Sequence, residues 1–183
     1  SIKRAEAQFG FPLPMRPYRT WGFFIKQLAR MLVNDMSKYS LRRFKPGINP
    51  FEIACSMESV FNEISVPVLV HGDLWPRNIL ISSNGEYKIN AVLDWERAVW
   101  GDPDFEWVFY CYNMPQSFYE SYGMTRHVSS STKMRRLFYK GYYLLCASLE
   151  EILHFGRKKS HINLLNQAEA AFSLLVKYLG KKI

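Results

Sequence analysis

Apolar residues recur at helical spacing after Thr20. Trp21, Phe24, Ile25, Leu28, Leu32 and Met36 share one face, and Thr20 can cap the segment, which predicts a helix ending near Ser40. The preceding stretch, Phe9 to Pro17, is broken by Gly and Pro and reads as an extended lead-in. Asn49 as cap and Pro50 in the first turn open a second helix, with Ile53, Ala54, Met57, Phe61 and Ile64 inward, that stops before Pro67. From Pro103 onward the pattern is again helical, in segments near 103–113, 115–122, 131–155 and 161–179, with Asp102 as the first cap. The last two carry core stripes: Met134, Leu137, Phe138, Leu145, Leu149 and Ile152, then Leu165, Ala168, Phe172, Leu175 and Leu179.

Between these helical halves the texture changes. Val66 to Val70 is a short β-type run, and His71 to Arg77 is a polar loop. Ile79 to Ile81 forms a strand, Ser83-Asn84-Gly85 supplies a hairpin turn, and the return strand from Tyr87 to Leu93 delivers Asp94 at its end. The pattern therefore brings two polar loops to one hairpin.

Composition narrows the setting. The chain has 183 residues, 48% of them hydrophobic, enough for a sizeable core. No apolar stretch reaches the roughly 18 residues of a membrane span, and no apolar signal region follows Ser1-Ile2-Lys3-Arg4, so a cytoplasmic protein is expected. Cys55, Cys111 and Cys146 stand far apart among apolar neighbours, as buried free thiols would. The net charge of +8 is uneven: residues 1–125 hold 13 Lys/Arg against 13 Asp/Glu, and residues 126–183 hold 11 against 3. A solvated helix face with a basic tail accounts for that excess, and an acidic or phosphate-rich partner is the other reading.

The chemistry lies in His71-Gly72-Asp73-Leu74-Trp75-Pro76-Arg77-Asn78, followed by Leu93-Asp94-Trp95-Glu96. A loop carboxylate can take the proton of an attacking hydroxyl. An Asn carbonyl oxygen and a second carboxylate are hard ligands for Mg²⁺ on nucleotide phosphates. The five-residue step from Asp73 to Asn78 lets a loop present the base and then turn the Asn toward the metal, while the hairpin brings Asp94 alongside.

This stretch resembles the catalytic core of the aminoglycoside phosphotransferase and choline kinase-like superfamily, relatives of protein kinases. The likeness runs from His71 to about Trp107 and includes Trp100-Gly101-Asp102-Pro103-Asp104-Phe105-Glu106, similar to that family's Gly-Asp-Pro segment with a downstream acid. The His-Gly-Asp-Leu-Trp wording is closest to the sugar-amine (fructosamine) kinases. The resemblance implies an α+β, mainly α fold, the helical C-terminal lobe of a protein-kinase-like protein with a small hairpin. Residues 1–19 would be a lead-in, 67–107 the catalytic and metal-binding segment, and 108–183 the acceptor-side helices of a single domain. It further implies Asp73 as catalytic base, Asn78 and Asp94 as Mg²⁺ ligands, His71 as an orienting partner, and Asp102 and Glu106 as supports for the loop backbone and the next helix. ATP or GTP would be the phosphate donor and a small-molecule hydroxyl the acceptor. Arg77 is a candidate phosphate contact; Glu96, Trp100 and Asp104 are candidate acceptor contacts. Two departures stand out: Trp75 occupies the place where many protein kinases carry a Lys two residues after the base, and Glu106 stands for the more usual Asp.

A whole kinase also needs a Gly-rich cover over the phosphates and a Lys paired with a helix Glu. Gly10 and Gly22 lie 12 residues apart, so no such loop can be written. The expectation is that an N-terminal ATP-binding lobe precedes Ser1 in a parent protein and that this chain alone binds nucleotide weakly; a natural single-lobe protein is the alternative. The distal cations Lys133, Arg135, Arg136, Lys140 and Arg157 to Lys159 disfavour a polycationic acceptor and favour a sugar or amino-sugar derivative, although Asp104, Glu106 and Glu120 lie nearby. Trp95, Trp100, Trp107, Tyr110, Tyr112 and Tyr119 offer stacking surfaces or core. Two rival functions remain: a catalytically silent, kinase-derived binding module, and a basic nucleic-acid binder, for which no recognised motif is present.

Overall fold

The computed structural model describes residues 8–12, 17–39, 41, 44–83, 85–124 and 128–180. The first helix, α1, spans Trp21–Lys38, and the Thr20 side chain accepts from the Phe23 amide. All six residues of its predicted inward row are buried. The second predicted helix divides into α2 (Pro50–Ser56) and α3 (Glu58–Phe61). Asn49 caps α2 through the Phe51 and Glu52 amides. The Ser56 hydroxyl donates to the Glu52 carbonyl, a back-bond of the kind that bends helices, and Met57 then leaves helical geometry.

Four short strands follow: β1 (Val68–Val70), β2 (Ile79–Ser82), β3 (Lys88–Val92) and β4 (Val99–Gly101). The hairpin β2–β3 pairs Ile79 with Val92 and carries an irregularity at Leu80/Ile81. In its turn, Gly85 holds φ +87 and donates to the Ser83 carbonyl, while Asn84 lies outside the described residues. The strand β4 was not expected from the pattern. It pairs antiparallel with β1, Leu69 opposite Trp100, and Gly10 of the lead-in bridges to Trp100 from the other side. Gly101 is required there, since a Cβ would lie 2.2 Å from the Trp21 ring.

The helix expected from Pro103 begins only at Val108 as α4 (Val108–Cys111). Asp102 caps a turn instead, accepting from the Asp104 amide at 3.0 Å, because its other carboxylate oxygen is engaged by Arg135 and Tyr139. After α5 (Gln116–Tyr122), two long helices, α6 (Ser130–Leu153) and α7 (Lys158–Tyr178), pack together. Gly141 of α6 lets Phe172 of α7 approach until an added Cβ would lie 2.7 Å from that ring. The main core gathers α1, α2, α3, β1, β4, α6 and α7 around Trp21, Phe24, Phe61, Tyr139 and Phe172.

Two compositional expectations change. Cys55 is exposed, and Cys111 and Cys146 are half-buried, so the three thiols are free but not uniformly interior. The distal basic excess is not simply a solvated face: Arg135 is buried, with Nε 2.9 Å from Asp102 and Nη1 3.1 Å from Glu63, and Arg136 makes a two-pronged pair with Asp104. Among the described residues, no helix is long and apolar enough to cross a membrane.

Candidate active site

The strand β1 ends at Val70 and hands the chain to the 71–78 loop. Gly72 adopts φ +80 there, with its α-carbon so close to Arg97 that a Cβ would lie 2.3 Å from the Arg97 carbonyl oxygen; no other residue type fits. The Asp73 amide donates to His71 Nδ1 at 3.2 Å, so the ring proton sits on Nε2, which donates to the Leu93 carbonyl at 2.8 Å. His71 is thereby a neutral imidazole that ties the first polar loop to the residue before Asp94. Trp95 covers its ring at 4.6 Å.

Glu106 holds the same loop from beneath. Its two carboxylate oxygens accept from the Gly72 and Leu74 amides, both at 3.0 Å, and the side chain is fully buried. Burial pushes its carboxyl above the ordinary value, opposed by those two amide donors. The longer arm of Glu in place of Asp thus reaches both amides.

Asn78 closes the loop. Its Nδ2 donates to the Asp73 carbonyl at 2.9 Å and to Asp73 Oδ2 at 3.2 Å, which directs Oδ1 away from that carboxylate. The Leu93 amide donates to the Asn78 carbonyl at 2.8 Å, setting Asp94 beside Asn78. Asp94 has φ 64, the only non-glycine residue with positive φ among those described, and such backbone conformations cluster at functional sites. Partial burial raises the Asp73 carboxyl above its ordinary value; the Arg97 charge and the Asn78 hydrogen bond oppose the shift, and Asp94 adds to it. The arrangement offers one half-buried carboxylate fit to accept a proton. Beside it lie an amide oxygen and an exposed carboxylate, the hard-oxygen donor set that suits Mg²⁺.

A family model for fructosamine kinase matches residues 18–163, a span that contains this whole loop system and most of the chain. The chain belongs to the fructosamine kinase family. Its fold is similar to that of a thermostable mutant of aminoglycoside phosphotransferase APH(4)-Ia in the apo form, with a TM-score of 0.53 at 21% identity, over 95% of this chain and 58% of that one. The chain thus spans somewhat over half the neighbour's length. No curated protein matches it.

The remaining predicted residues of this fructosamine kinase family member fall into different settings. Asp102 is buried and bound by Arg135 Nε and Tyr139 Oη, both at 2.9 Å; Tyr139 Oη in turn accepts from Trp21 Nε1 at 2.7 Å. Asp104 is taken up by Arg136 at 2.8 and 3.1 Å. Trp100 belongs to the β4 pairing, and Glu96 is exposed in a 3-10 turn after Asp94. The Arg77 guanidinium lies 5.2 Å from the Trp75 ring. Trp75 in turn meets Tyr112 at 5.4 Å, and Tyr112 meets Trp107 at 5.2 Å, forming an aromatic row beside Asp73. A cavity of about 530 Å³ opens behind the loop, lined by His71, Leu74, Trp95, Glu106 and Tyr122 among others. Another of about 570 Å³, between α1 and residues 44–50, contains none of the motif residues.

Sequence reasoning missed Arg97 and Glu150. Arg97 Nη2 lies 2.7 Å from Glu150 Oε1 on α6, and the Arg97 charge also acts on Asp73. One signal existed: Glu150 is one of only 3 acids among the last 58 residues, where cations dominate.

Proposed function

We propose that this chain is the C-terminal lobe of an ATP-dependent, Mg²⁺-requiring kinase that phosphorylates a hydroxyl of a sugar-derived amine, a fructosamine, in the cytoplasm. The observation that carries the reading is the meeting of Asp73, Asn78 and Asp94, built by the Asn78 to Asp73 bond at 3.2 Å and the Leu93 to Asn78 bond at 2.8 Å. Asp73 is the base that accepts the acceptor's hydroxyl proton. Asn78 Oδ1 and the Asp94 carboxylate hold Mg²⁺, which when bound neutralises phosphate charge. His71 fixes the Asp73 amide relative to Asp94, and Glu106 and Asp102 hold the loop and the turn beneath it. Arg77 remains a phosphate contact only if it leaves Trp75.

The acceptor reading draws on the family match and on the aromatic row of Trp75, Tyr112 and Trp107, whose faces suit the C–H face of a sugar. Asp104 is paired with Arg136, and Glu106 is buried with both oxygens on backbone amides, so neither is open to recruit a polycation. The nucleotide grip comes from sequence beyond this chain. Two observations support this: the 58% span of the structural neighbour, and the exposed apolar residues of the hairpin, Leu80, Ile81, Tyr87 and Ile89, which a further lobe would cover. The test is ATP-dependent phosphorylation by the parent protein of fructosyl-glycine against kanamycin. Transfer to fructosyl-glycine alone is expected; transfer to kanamycin alone would contradict the acceptor assignment.

A further inference from the structure

Arg97 stands where three parts of the site meet. Its carbonyl packs on Gly72, and the 3-10 turn that carries it starts just after Asp94. Its guanidinium reaches α6, where Glu150 Oε1 lies 2.7 Å from Nη2 across 53 residues of chain. The same guanidinium is near enough to Asp73 for each charge to act on the other, yet it makes no ion pair with Asp73 among the described residues. Of the two carboxylates that feel this cation, Glu150 is the one paired with it.

The pair does little for the fold. The two side chains are 37% and 40% exposed, and ion pairs so open to water contribute little to stability. Arg97 has a flexible stem, so once freed from Glu150 its fork can turn to the next carboxylate, that of Asp73. Asp73 Oδ2 already accepts from Asn78; a guanidinium on the remaining oxygen would occupy the place of the acceptor hydroxyl.

We propose that Glu150 is a positioning residue that holds the Arg97 guanidinium off Asp73, keeping the base open to the acceptor. The claim rests on the kinase reading of Asp73. It also makes α6, on the acceptor side, a direct contributor to the base's environment, because a shift of α6 moves the anchor of Arg97.

The test is a double-variant cycle in the parent protein with ATP and fructosyl-glycine, using Glu150→Gln, Arg97→Gln and both together. Glu150→Gln is expected to lower kcat about tenfold, with KM for ATP and melting temperature little changed. The double variant is expected to recover to within about threefold of wild type, since no guanidinium is left to cover Asp73. A double variant as slow as Glu150→Gln, or a Glu150→Gln protein as fast as wild type, would overturn the proposal; a purely structural pair gives no recovery. If wild type phosphorylates nothing, the kinase reading fails, and the side-chain amide signals of Asn78 in residues 1–183 decide this proposal alone. Glu150→Gln should shift them and Arg97→Gln in the same chain should reverse the shift. Unmoved signals would refute it.

Discussion

The imidazole of His71 reaches the carbonyl of Leu93 at 2.8 Å, across 22 residues of chain, while its other nitrogen accepts from the Asp73 amide. One neutral ring therefore sets the distance between the loop that carries Asp73 and the strand end that carries Asp94. Replacing it with Ala removes the partner of the Asp73 amide and of the Leu93 carbonyl, both only partly buried, at about 1 kcal/mol for each hydrogen bond lost. The expected result for His71→Ala is a lower melting temperature together with a drop in kcat of about two orders of magnitude, the size of a positioning defect of about 1 Å. Steady-state kinetics and a thermal melt on one preparation check both.

Glu106 offers a cleaner separation of loop from chemistry. In Glu106→Gln one of the two amides, Gly72 or Leu74, meets an NH₂ group instead of an oxygen. A loss of about 1–3 kcal/mol in stability follows for that one unsatisfied donor. Hydrogen exchange at the Gly72 and Leu74 amides should speed up while the α6 and α7 amides keep their protection. Uniform acceleration across the chain would show that Glu106 serves the whole core rather than the loop.

Arg135 anchors α6 to Asp102, Glu63 and the Val60 carbonyl. Asp102 is 2% exposed, so Arg135→Ala strands a buried carboxylate, a defect of about 3–5 kcal/mol. A urea titration should show that loss. Asp102→Asn introduced beside it should recover part of it by removing the charge, and no recovery would mean that Arg135 acts through packing alone.

The Asp73 carboxyl is raised above its ordinary 3.8 by partial burial, against the opposing charge of Arg97. A base must be ionised, so phosphoryl transfer is fully present above the raised value and is lost as pH falls through it. The acid limb of kcat/KM should therefore have its midpoint above 3.8, and Arg97→Gln should move it higher still. An acid limb at or below 3.8 would contradict the assignment of Asp73.

Much of this was legible in the sequence because the signals were local. Thr20 and Asn49 announced their helices by cap chemistry, and the β2–β3 hairpin followed from alternation and a Gly-containing turn. Where long-range partners decided the outcome, the pattern misled. Asp102 reads as a helix cap from its neighbours, but Arg135 and Tyr139 claim it from 33 and 37 residues away, and the helix starts at Val108. The strand β4 is three residues long and is formed by pairing with β1 and with Gly10, neither of which its own residues reveal. Within the site, the spacing of Asp73, Asn78 and Asp94 could be read directly. Arg97 and Glu150 could not, because an ion pair between a loop and a helix leaves no periodic mark.

The central claim, that Asp73 accepts a hydroxyl proton beside Asn78 and Asp94, is tested most directly by one measurement: ATP-dependent phosphorylation of fructosyl-glycine by the parent protein and its Asp73→Asn variant. The isosteric change keeps an acceptor for Asn78 and removes the base. The account predicts transfer by wild type and a loss of kcat of at least about a hundredfold in the variant, with KM for ATP unchanged. Transfer by Asp73→Asn at the wild-type rate would contradict it.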